Sequence, residues 1–167
     1  MISELKPGID LRLLEPQDWE YFLENGGTLG DALEMKEQEL EAIYTLAYEK
    51  YANGNFIEAK PLFQLLCYCN HIEAKYILGL GATRQALEQY ELAGETYSFA
   101  AFVHGDDPRF PFHAAECHLA LDNWESAKSG FEVCIYRCEN FKHYAWYMEQ
   151  AQKNLEILHS RLNESDA

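Results

Sequence analysis

Phe56–Phe63 reads FIEAKPLF, Tyr90–Tyr97 reads YELAGETY and Trp124–Phe131 reads WESAKSGF. Laid over one another at a spacing of 34 residues, the blocks align an aromatic start (Phe56, Tyr90, Trp124), a central alanine (Ala59, Ala93, Ala127) and an aromatic end (Phe63, Tyr97, Phe131). Upstream, Ala47, Gly81 and Ala115 keep the same spacing. A fixed period of this length, with small and aromatic residues in phase, marks a helix hairpin repeated along a solenoid. Such hairpins cannot bury their apolar faces alone, so they stack into a curved surface that holds other chains.

The period is that of the tetratricopeptide (TPR) repeat, and it predicts an all-α chain. Three hairpins are expected at 40–73, 74–107 and 108–141. An N-terminal helical extension precedes them over 1–39, and a capping helix with a polar tail follows over 142–167. Asn53-Gly54-Asn55, Leu87–Gln89 and Asp122-Asn123 read as the turns within the hairpins. Tyr144–Leu158 is amphipathic and suits a helix that covers the end of the stack. Before the repeats, Pro16 and Asp18 open a short predicted helix with Trp19, Phe22 and Leu23 as its apolar stripe, ended by Asn25-Gly26-Gly27.

The repeat accounts for residue size. Ala47, Gly81 and Ala115, and likewise Ala59, Ala93 and Ala127, are small because larger side chains would push crossing helices apart. Overpacking of that kind costs roughly 1–3 kcal/mol per site. Phe56, Tyr90 and Trp124 fill the space beneath each turn as scaffold.

Composition narrows the function. The 167 residues carry a formal charge of −15, with ten acidic against three basic residues in the first forty. Phosphate binding needs clustered Lys and Arg, so nucleic acid is not an expected partner. No apolar run approaches the ~18 residues of a membrane span, and the start has no basic and apolar leader pattern. Five cysteines, an odd number, read as reduced thiols in a cytoplasmic protein.

In a TPR the concave wall comes from the first helix of each hairpin, at positions 2, 5, 9 and 12. Those positions hold Glu41, Tyr44, Tyr48 and Tyr51; then Lys75, Leu78, Ala82 and Gln85; then Arg109, Phe112, Glu116 and Leu119. The wall is aromatic and aliphatic with isolated charges. Tyr48 and Ala82 stand where carboxylate-gripping TPR domains want asparagine, which argues against capture of a C-terminal carboxylate. Tyrosine combines apolar area with a hydrogen-bonding tip and few rotors to freeze, which suits an extended peptide with apolar anchors. Tyr44, Tyr48 and Tyr51 could instead pack on the N-terminal extension or on a second subunit.

Catalytic and metal readings are weak. Cys67-x-Cys69-x-His71 places i and i+2 side chains on diverging faces of a helix, and Cys117 and His118 point apart. Gly79-Leu80-Gly81 lacks the third glycine of a dinucleotide loop. No cofactor, metal ligand set or catalytic residue is expected.

Three longer strings also resemble the class II type III secretion chaperones. They are YANGNFIEAKPLFQLLC at Tyr51–Cys67, YILGLGATRQALEQYELAGETYSFAA at Tyr76–Ala101 and DPRFPFHAAECHL at Asp107–Leu119. With Gly26-Gly27-Thr28, the likeness spans about residues 26–134. The last block is far more specific than a generic repeat, whereas the last thirty residues match little.

The resemblance implies an acidic protein of the bacterial cytoplasm that keeps a hydrophobic translocator soluble until export, without itself entering a membrane. It implies that an extended client segment lies in the concave groove, and places the groove pockets at Tyr44, Tyr48, Tyr51, Phe56 and Tyr97. Cys69 stands where relatives carry an aliphatic residue. Relatives often form homodimers through N-terminal helices, a role that Trp19, Phe22 and Leu23 fit. The alternative is a general TPR adaptor joining folded partners, which would leave a client's solubility unchanged.

Overall fold

The computed structural model describes residues 28–139 and 141–165, and among them every regular element is a helix. The expected dimerisation stripe of Trp19, Phe22 and Leu23 lies outside the described residues. The chain divides into two compact units, one reaching to Tyr76 and the other starting at Ile77.

In the first unit, α1 (Leu29–Ala32) is one turn held by a reciprocal cap. The Asp31 N–H donates to Thr28 Oγ1 at 3.1 Å, and the Thr28 N–H donates to the Asp31 carboxylate at 3.0 Å. Gly30 of this turn rides so close to the end of α3 (Phe56–Cys69) that a Cβ would sit 2.9 Å from the Cys69 carbonyl oxygen. Between them, α2 (Glu37–Ala52) starts ahead of the repeat frame at 40 because the Lys36 N–H donates to Glu39 Oε2 at 2.8 Å. Ala47 of α2 and Ala59, Phe63 and Leu66 of α3 are fully buried where these helices cross.

The chain continues with α4 (Ala74–Ala86), which starts in the first unit and runs into the second. The second unit then adds α5 (Tyr90–Val103), α6 (Arg109–Ala120) and α7 (Trp124–Cys138). A 3₁₀ turn at Lys142–Tyr144 leads into α8 (Ala145–Ser165). Consecutive helices from α5 to α8 pack on one another. Gly81 leaves no room for a side chain, since a Cβ would collide with the Tyr97 ring, and a Cβ at Gly130 would meet Ala115 Cβ at 2.8 Å. Phe131, Cys134, Ala151 and Leu158 bury the α7–α8 contact, and Arg161 lies 5.2 Å over the Trp124 ring. The expected terminal helix at 144–158 is therefore a longer one, Ala145–Ser165.

The period of 34 is written in the backbone as well. Each hairpin turns through one residue of positive φ: Gly54 at 76°, Glu88 at 58° and Asp122 at 55°. The next N–H closes the turn, from Asn55 to the Lys50 carbonyl, Gln89 to Arg84 and Asn123 to His118, each at 2.9 Å. Those same three residues then accept the first bond of the following helix, from Ala59, Ala93 and Ala127. One residue thus ends one helix and begins the next, which fixes the hairpin without a longer loop.

Candidate functional site

In the first unit the predicted tyrosine wall is built on α2. Tyr48 is 57% exposed and stacks on half-buried Tyr44 with ring centroids 6.3 Å apart and planes at 27°. Beneath them, Phe63 meets Tyr44 edge-on at 6.1 Å and Tyr76 lies tilted at 5.7 Å. Half-buried Tyr51 packs on Phe56 at 5.3 Å, one hairpin turn away. The aromatics form two small clusters on one helix, spaced as successive turns of α2 dictate.

The charges on this wall are paired, contrary to the expectation of isolated ones. Lys75 Nζ lies 2.5 Å from Glu41 Oε2, 4.8 Å over the Tyr44 ring and 5.5 Å over the Tyr76 ring. Burial raises the Tyr44 phenol above its ordinary value, with Lys75 opposing. The phenol therefore stays protonated at neutral pH and can donate a hydrogen bond. Sequence reading missed Phe63 and Tyr76 as the floor of this wall; the one signal for the ion pair was that Glu41 and Lys75 share position 2 of successive repeats.

Cys69 does not reach this surface. Its thiol is 1% exposed and contacts Met35 Sδ at 3.4 Å, with Gly30 pressed on its backbone. The thiol's pKa is raised by burial, as an inert core cysteine's is.

In the second unit the predicted residues divide by burial. Leu78, Ala82, Gln85, Glu116 and Leu119 are partly exposed, whereas Tyr97 and Phe112 are buried. The Tyr97 hydroxyl donates to Gln85 Oε1 at 2.8 Å, and its ring lies 5.2 Å from that of His113. His113 Nδ1 in turn sits 2.8 Å from Glu116 Oε2. Phe112 is enclosed by Phe131, Trp146 and Tyr147, with centroids 5.2–5.9 Å away. The α8 aromatics that enclose it fall in the part of the chain with the least sequence signal. Arg109 turns back to Asp107, its Nη2 2.5 Å from Oδ2.

All five cysteines are thiols, and no group of three or more His, Cys, Asp or Glu among the described residues is placed to hold a metal ion. No described helix is long and apolar enough to cross a membrane. Each unit displays exposed aromatic side chains, Tyr48 in the first and Phe102 and Tyr136 in the second.

No protein-family model matches the chain. Low calcium response locus protein H of Yersinia pestis is 44% identical over 111 residues, covering 66% of this chain and 66% of that protein, just under two thirds of its length. A chain in the crystal structure of a type III secretion complex from Aeromonas hydrophila is 41% identical with a TM-score of 0.83, covering 89% of this chain and 99% of that one. The Yersinia enterocolitica type III secretion translocator chaperone SycD is 37% identical with a TM-score of 0.75, covering 79% and 98%. SycD in complex with a peptide of the translocator YopD gives 36% and 0.73, covering 77% and 98%.

Proposed function

Since the chain belongs to the family of type III secretion translocator chaperones, we propose that it holds a hydrophobic translocator soluble in the bacterial cytoplasm before export. These are holding proteins, not enzymes. The observation that carries the reading is the half-exposed Tyr44–Tyr48 stack, floored by Phe63 and Tyr76 and edged by the Glu41–Lys75 pair. A bound client covers such surface and gains roughly 25 cal/mol per Å² of apolar area, before the cost of ordering its chain. The tyrosine hydroxyls can meet the backbone of an extended segment while the rings take its apolar side chains.

In the second unit, Leu78, Ala82, Gln85, Glu116 and Leu119 are further client contacts, over buried Tyr97 and Phe112; in the first, Cys69 serves from the core. Phe56 acts through Tyr51, whose ring it backs. Self-association through Trp19, Phe22 and Leu23 belongs to the same proposal.

The test is a labelled peptide of YopD, the client seen with SycD. It should bind the full chain, and Tyr44→Ala/Tyr48→Ala should weaken it at least about tenfold, a loss of ~1.4 kcal/mol. Helicity should not change, because Tyr48 is exposed, Tyr44 is only half-buried and alanine favours the helix. Undiminished binding by the double variant would remove α2 as the client wall.

A further inference from the structure

The second unit also carries a groove on a different face of α6 from Phe112, Glu116 and Leu119. Between α5 and α7 lies a groove of about 500 Å³, floored by Pro111, Ala114 and His118 of α6. Its walls are serines, Ser98 from α5 and Ser126 and Ser129 from α7. At 100° per residue, the mean direction of Pro111, Ala114 and His118 lies about 130° around α6 from that of Phe112, Glu116 and Leu119, so a client on one face leaves the groove open.

Three features of the groove are unspent in the protein itself. His118 Nδ1 is buried in the floor with no hydrogen-bond partner among the described residues. Phe102, next in the chain to the lining Ala101, is 88% exposed, and Tyr136, one turn on from the lining Val133, is 71% exposed. These aromatics are one period of 34 apart and stand at matching ends of α5 and α7. At the other ends stand Glu91 and Glu125, also 34 apart, with Glu95 one turn along; all three are exposed and none forms an ion pair among the described residues.

We propose that this groove docks a basic amphipathic helix of a second protein, held at the same time as the client. Small side chains along the walls let a helix backbone approach closely. Its apolar stripe would cover Phe102 and Tyr136, and its Lys or Arg side chains would reach Glu91, Glu95 and Glu125. A second copy of this chain is the wrong occupant, since it would set glutamate against glutamate between molecules that each carry −15. A basic helix gains from that charge through steering as well as contact.

The probe is a labelled amphipathic helix of roughly 20 residues made of Leu, Ala and Lys, titrated into the full chain beside a counterpart with Glu for Lys. The Lys peptide should bind at about 0.05 M salt and several-fold more weakly at about 0.3 M, and the Glu peptide should not bind. Phe102→Ser/Tyr136→Ser and, separately, Ser129→Trp, which fills the groove, should each weaken the Lys peptide about tenfold. Glu91→Gln/Glu125→Gln should flatten its salt dependence, while Tyr44→Ala/Tyr48→Ala should leave it unchanged. All these positions are exposed or half-buried, and circular dichroism of each variant should match the parent. Equal binding by parent and groove variants, loss of binding only in the Tyr44/Tyr48 variant, or no binding by the parent would each overturn the proposal.

Discussion

Glu88 holds a backbone conformation that costs a residue with a Cβ about 1–2 kcal/mol, at φ 58° in the turn between α4 and α5. The matching residue one period earlier is Gly54. Glu88→Gly should therefore stabilise the protein by about 1 kcal/mol, raising Tm by roughly 2–4 °C; a lowered Tm in calorimetry would contradict this account of the turn. A second single-residue effect is set by pH. Burial pushes the Cys117 thiol from its ordinary 9.0 up to about 12. Between those values the unfolded chain has lost the proton that the folded one keeps, so the thiol's contribution to stability is intact below pH 9 and is lost as pH rises towards 12. Urea melts across this window should show Cys117→Ala declining less steeply than the parent. At this scale the sequence was most readable where sterics dominate: Ala47, Gly81 and Ala115 are small because helices cross there. It was least readable for Glu41 and Lys75, since an ion pair between two hairpins depends on the closeness of two side chains and leaves only equal register as a trace.

Helix pairing adds a tie that the repeat pattern does not encode. Arg137 on α7 donates to the carbonyls of Ala101, His104 and Asp107, at 3.0, 3.2 and 3.1 Å, and so fastens the end of α5 and its following turn. A cation at the carbonyl end of a helix also meets the favourable end of its dipole. Arg137→Met should cost about 2–3 kcal/mol in urea denaturation, and Arg137→Lys should restore less than half, because one ammonium cannot fork to three carbonyls. An unchanged midpoint for Arg137→Met would remove the tie. The hairpin helices themselves were legible, because their aromatic and small positions recur in register. The ends were less so: α2 starts at Glu37 through a cap at Lys36–Glu39, and α8 runs on to Ser165. The burial of Phe112 and Tyr97 was hidden for a related reason. The repeat frame identifies which way a residue points but not what later packs over it, and the α8 aromatics Trp146 and Tyr147 close over Phe112.

The whole molecule is an acidic helical protein that buries an aromatic and small-residue core and leaves large aromatics such as Tyr48, Phe102 and Tyr136 exposed. The charge of −15 opposes self-aggregation through those surfaces and leaves them open to a client. A chain that works this way makes a hydrophobic translocator dependent on it for solubility. Co-expression with YopD, the translocator whose peptide is seen with SycD, followed by size-exclusion chromatography with light scattering, reads this out. A single co-eluting complex is expected, with the client insoluble when expressed alone or with the Tyr44→Ala/Tyr48→Ala variant. A client that is soluble on its own, or that elutes apart from the chain, would contradict it.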